Sequence, residues 1–113
     1  MISSKKIISQ TNNYESYSIY APFVFRLGQN LVMLYAAWSK YPLKGRIMTA
    51  KSKDGNVWIK NKKPFIEPSF YFDKKHCSEP AFLEFQGSHY VIYEGCDCDG
   101  NWSIIKKRIS KII

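Results

Sequence analysis

The stretch Pro22–Trp38, PFVFRLGQNLVMLYAAW, is echoed 58 positions later by Pro80–Cys96, PAFLEFQGSHYVIYEGC. Identities are few, but apolar character persists at Val24/Phe82, Phe25/Leu83, Leu27/Phe85, Met33/Val91 and Leu34/Ile92. The same offset pairs Tyr35 with Tyr93, Ile47 with Ile105, Ser52 with Ser110 and Lys53 with Lys111. Upstream, the Lys-Lys run at Lys5 resembles the one at Lys62. Self-similarity at this period is a signature of stacked structural units.

Each copy reads as a run of strands. APFVFRL or EPAFLEF leads through a turn at Gly28 or Gly87 into LVMLYAA or HYVIYEG, then through a longer loop into RIMTAKS or SIIKKRIS. Short apolar strands joined by Gly-containing turns are hairpin chemistry. In the first copy Asp54-Gly55 turns the chain again, into an outer strand expected from Val57 to about Ile66. Trp58 is expected to pack between neighbouring units. Four antiparallel strands repeating at about this length describe a propeller blade. The fold class is therefore all-β, with about two blades in one partial propeller domain over residues 1–113. The repeats run from about 18 to 68 and from 76 to 113, and residues 1–17 resemble the end of a preceding blade.

Charge and cysteine content narrow the function classes. Seventeen Lys and Arg against nine Asp and Glu give a net charge of +8. The basic residues are dispersed and mostly Lys, and only Arg26, Arg46 and Arg108 can present a bidentate fork. That pattern fits solubility and disfavours nucleic-acid recognition, which leaves weak nonspecific binding through a basic surface as a minor alternative. No run approaches the ~20 apolar residues of a membrane helix, and the N-terminus lacks a signal-peptide core. With the odd count of three cysteines, Cys77, Cys96 and Cys98, this points to a reduced, cytoplasmic setting. Cys96-x-Cys98 with His76 is poor zinc spacing, and the Asp97–Gly100 segment fails as a calcium loop at both ends. No metal or cofactor is expected.

The pattern Pro-x-Val, Gly, apolar-Tyr, then RIMTAKSKDGNVW (Arg46–Trp58) resembles the five-bladed propellers of the arabinanase, levansucrase and invertase superfamily, of the glycoside hydrolase family 32 and 43 type. The sialidase Asp-box, one residue longer between Ser and Trp, ranks second. The resemblance covers about Ser18 to Ser110. It implies glycoside cleavage or transfer by carboxylates at the mouth of a central tunnel, one of them a general acid. Glu79, just before Pro80, matches the position of that acid, whereas the first copy has Ala21 there. Asp73 resembles an acidic residue that precedes the same strand. Glu94, Tyr93, Trp38, His76 and Trp102 are the candidate sugar contacts. Trp38, Tyr41 and Trp102 are expected in loops between second and third strands.

The resemblance implies a glycan-binding or glycan-processing module, catalytically incomplete as an isolated chain. If active, it is a glycosidase needing additional blades or subunits. The rival reading is a structural or oligomerising β-module, or a truncated gene product without activity. Expected partners are a carbohydrate ligand and either further copies of the chain or further blades.

Overall fold

The computed structural model describes residues 2–110, so Lys111 and the expected end of the second repeat lie outside the described residues. Strands β1 (Ser18–Leu27), β2 (Asn30–Lys40), β3 (Leu43–Ser52) and β4 (Ile59–Lys60) form an antiparallel sheet in that order. Strands β5 (His76–Phe85), β6 (Ser88–Cys96) and β7 (Trp102–Ile109) form a second one. Each is a propeller blade built as a meander, as the repeat requires.

The two β-hairpin turns solve one problem in two ways. A two-residue hairpin loop needs positive φ to match strand twist. Gly28-Gln29 supplies it at Gly28 alone (φ +61°), whereas Gln86-Gly87 has it at both positions (φ +50° and +78°). The Asp54-Gly55 turn also forms. Gly55 takes φ +81°, and the Asp54 carboxylate accepts the Asn56 and Val57 N–H groups at 2.8 and 3.0 Å.

The outer strand is shorter than expected. Only Ile59–Lys60 pairs with β3, and contact resumes at a single bridge between Ile47 and Ile66. Pro64, which lacks an N–H, sits in the intervening departure, and ladder bonding restarts with Phe65 N–H on Ile47 O at 2.8 Å. Residues 5–9, within the stretch that resembles the end of a preceding blade, form no strand. They fold back on the first blade, where Lys60 Nζ donates to Ser9 O at 2.6 Å and Ile8 packs on the core.

Strand β2 carries an unbroken apolar run because it is buried on both faces. On one face Leu34 and Ile47 join Ile66, Cys77, Val91 and Tyr93 in the interface between blades. There Phe25 lies flat on Phe82, with ring centroids 3.8 Å apart. On the other face Met33, Tyr35, Ala37, Met48 and Ala50 are covered by Ile8, Tyr14, Ile19 and Trp58. Trp58 thus packs on this second cluster, not between the two blades, and its indole N–H donates to Gly55 O at 2.9 Å. Strand β7 alternates between half-buried and exposed positions, leaving Trp102 and Ile104 at 49% and 73% exposure.

A candidate carbohydrate site at the bulge of an inner strand

Both first strands break register at one place, between Tyr20 and Phe23 in β1 and between Ser78 and Ala81 in β5. The following proline has no N–H for the ladder, so the chain bulges. Ala21 and Glu79 take up the bulge at φ +55° and +48°. A left-handed residue other than Gly costs about 1–2 kcal/mol. Finding that strain in both blades makes the bulge a property of the unit. The side chain it presents is a methyl group in one copy and a carboxylate in the other.

Glu79 is exposed, not partly buried beside Tyr93 as a tunnel-mouth acid would be. Its neighbour is Glu94, which stands opposite Ser78 on β6. Burial, then the Glu79 charge, raise the Glu94 pKa above the usual carboxylate range. Two acids on neighbouring strands repel when both are charged, which makes Glu94 the harder to ionise.

Register places His76, Cys96 and Trp102 in a row across β5, β6 and β7, beside the row of Ser78, Glu94 and Ile104. Buried His76 lies between Trp38, with ring centroids 4.3 Å apart, and Trp102, at 6.2 Å and 16° from parallel. The Gly45 N–H donates to His76 Nδ1 at 3.1 Å, which leaves the neutral ring's proton on Nε2. Burial, then Lys75 and Lys44, hold its pKa below the ordinary histidine value. A side chain at position 45 would meet Trp38 Cε2 at 2.7 Å and Cys77 O at 2.9 Å, so only glycine fits beneath the stack. Trp38 donates its indole N–H to Tyr20 Oη at 3.0 Å, and the Tyr20 and Ser78 hydroxyls bond at 2.5 Å. Trp38 and Trp102 are strand residues, not loop residues, while Tyr41 does lie in the β2–β3 turn at 87% exposure.

Asp73 and Tyr93 do not belong to this surface. Asp73 is fully buried, and Oδ1 accepts the Ser69 and Phe70 N–H groups at 2.9 and 3.0 Å. Its Oδ2 accepts the Tyr93 hydroxyl at 2.7 Å and the Cys77 thiol at 3.5 Å. Burial alone would raise its pKa, but these donors outweigh it and hold the carboxyl below the usual range. Tyr93 points to the opposite side of β6 from its neighbour Glu94, into the interface between blades.

The first blade repeats the arrangement 58 positions earlier, which the sequence reading missed. Buried Glu15 accepts the Tyr35 hydroxyl at 2.7 Å and the Thr11 N–H at 2.9 Å, with Lys60 Nζ at 2.6 Å. Each acid ends a short 3₁₀ turn, Asn13–Glu15 or Tyr71–Asp73. An acid twenty residues before a tyrosine in both copies was the available signal. Cys77 and Cys96 are buried and Cys98 is exposed, and burial, then the Asp73 charge, push the Cys77 thiol well up. Among the described residues no three His, Cys, Asp or Glu side chains gather as a metal site would need. No helix among them is long and apolar enough to cross a membrane.

No protein-family model matches the sequence. Nor does any curated protein match it by sequence. Solved structures do match by shape. An exo-1,5-alpha-L-arabinanase from a bovine ruminal metagenomic library aligns over 95% of this chain and 40% of its own, with TM-score 0.77 and 12% identity. A glycosyl hydrolase from Bacteroides ovatus aligns over 84% and 30%, with TM-score 0.70 and 20% identity. A thermostable family-43 glycoside hydrolase aligns over 91% and 33%, with TM-score 0.62 and 15% identity. The chain thus spans well under half the length of the structures it matches. What this likeness establishes is the fold: about two antiparallel blades of a β-propeller, similar to part of the propellers of those glycoside hydrolases.

Proposed function

We propose that the chain is a glycan-binding or glycan-processing module whose carbohydrate surface is the Glu79–Glu94 pair with the Trp38, His76 and Trp102 rings. The observation that carries this reading is the exposed Glu79 carboxylate that the inner-strand bulge presents, beside the row that carries a half-exposed indole. Aromatic faces take the C–H face of a sugar, while a neutral imidazole N–H and carboxyl oxygens serve its hydroxyls. Glu79, the more exposed acid, is the group placed to protonate a glycosidic oxygen. A separate nucleophile or base is supplied by further blades or another subunit, because Asp73 is buried and fully engaged. The isolated chain therefore binds without turnover.

The test is titration of the full chain with neutral oligosaccharides, followed by tryptophan fluorescence and by hydrolysis of aryl furanosides and pyranosides. Binding that Trp102→Ala weakens, with no hydrolysis, is the expected result. Hydrolysis by the isolated chain that Glu79→Gln abolishes would replace binding with catalysis. Absence of any sugar-dependent change would leave the structural reading, favoured by the exposed Leu83, Phe85 and Ile104 of the second blade.

A further inference from the structure

Trp38 and Ser39 are consecutive residues near the end of β2 and face opposite sides of the sheet. Trp38 belongs to the aromatic stack. Ser39 faces a separate cleft of about 480 Å³ that it lines with Asn13, Tyr14, Lys40, Tyr41 and Arg46. That volume falls within the ~300–1,000 Å³ of small-molecule sites. Among the described residues no carboxylate lines it.

Arg46 is fixed in place here. Its Nη1 donates to Ser39 Oγ at 3.1 Å, and the guanidinium carbon sits 5.0 Å from the Tyr14 ring centre. Its Nε lies 3.5 Å from Glu67 Oε1, yet it is buried and makes no hydrogen bond among the described residues. The Arg46 side chain is 12% exposed, whereas that of Glu67 is 59% exposed and well solvated. A rigid cation is thus only partly neutralised at the wall of an open cleft. A planar guanidinium fork suits a carboxylate or sulfate. On the rim, Lys40 Nζ lies 5.6 Å from the ring of exposed Tyr41, which offers a free aromatic face beside a second cation.

From this juxtaposition we infer that the cleft is a subsite for a negatively charged sugar residue, a uronate or a sulfated sugar. It rests on the glycan reading above and extends it. Arg46 grips the anionic group, Lys40 adds charge at the rim, and Tyr41 stacks on the ring. The two surfaces lie on opposite sides of the end of β2.

The experiment is amide-resolved NMR on the full chain with D-galacturonate, D-galactose 6-sulfate, D-galactose and acetate at constant ionic strength. A charged sugar should shift Ser39, Lys40 and Arg46 and bind about tenfold tighter than galactose. The arm that binds tighter identifies carboxylate or sulfate as the natural group. The rim variants Lys40→Ala and Tyr41→Ala, which touch no core residue, should each weaken that binding several-fold. Arg46→Lys should weaken it too, because it keeps the charge but loses the fork. Equal response to galactose, equal response to acetate, or unmoved Ser39 and Arg46 signals would overturn the assignment. Silence of His76 and Trp102 toward neutral oligosaccharides is a separate result, and it would count against the carbohydrate surface alone.

Discussion

At Asp73 four donors converge on two oxygens, and at Glu15 a lysine ammonium joins a tyrosine hydroxyl and a backbone N–H. Both carboxyls have lowered pKa values, so the unfolded chain binds more protons than the folded one across the interval between the two values. Their stabilisation is complete above the ordinary values of 3.8 and 4.5 and is lost as pH falls through the lower folded values. Asp73→Asn keeps the shape, but with its carbonyl on the two N–H groups its NH2 replaces the acceptor of the Tyr93 hydroxyl and Cys77 thiol. It should cost about 2 kcal/mol in urea unfolding and flatten the acid limb of the stability profile. Glu94 has the opposite sign. Its raised pKa means the folded chain holds the extra proton, so the pair destabilises the fold as pH rises through the Glu94 value. In Glu79→Gln, carboxyl NMR should find the Glu94 pKa moved down toward 4.5. An unmoved value would show that burial alone sets it.

Among the elements, the hairpins were legible because Gly28, Gly87 and the apolar runs around Tyr35 and Tyr93 repeat at one spacing. The bulge was not, since Pro22 and Pro80 mark a break in the ladder without saying which way the next side chain turns. The approach of Glu79 to Glu94 depends on that turn, so the sequence marks both residues without fixing how they face each other. The acid–tyrosine latch stayed hidden for another reason. Glu15 and Asp73 differ in residue type, and they precede the strands on 3₁₀ turns that follow no apolar period. The strain at the bulge has a measurable sign. Ala21→Gly relieves about 1–2 kcal/mol of left-handed strain against ~0.5–1 of added chain flexibility, so it should stabilise by about 0.5 kcal/mol. Gly95→Ala should do the reverse. The new methyl meets Ile105 Cδ1 and comes within 2.8 Å of Asp73 Cβ. A loss of about 1–3 kcal/mol in thermal or urea unfolding is expected.

For the whole molecule, the contrast between the two blades sets the association behaviour. The first is covered on both faces of β2, while the second leaves Leu83, Phe85, Trp102 and Ile104 in solvent. Open strand faces of this kind invite packing against another blade. Light scattering on the full chain should find dimers or larger species at micromolar concentration, and Ile104→Lys should return them to monomer. A wild-type monomer would count against the open face as an interface. The net charge of +8 carries its own test. Nucleic-acid binding, if measured, should be weak and should vanish with modest salt, because dispersed lysines supply only phosphate contacts.

The latch has one more consequence. Glu15 reaches forward to Tyr35 and is held by Lys60 from the outer strand of its own blade, so the first and last parts of that unit are tied to each other. Asp73 closes on Tyr93 in the same way. The natural seam between modules therefore falls near Pro68, after the Ile66 bridge and ahead of the second 3₁₀ turn, and not at the first strand. Cutting there would transplant a blade with its clasp intact. A splice at Ser18 or His76 would leave a buried tyrosine hydroxyl without its acid. Anyone building longer propellers from this chain should copy the unit from Thr11 or Ser69 onward.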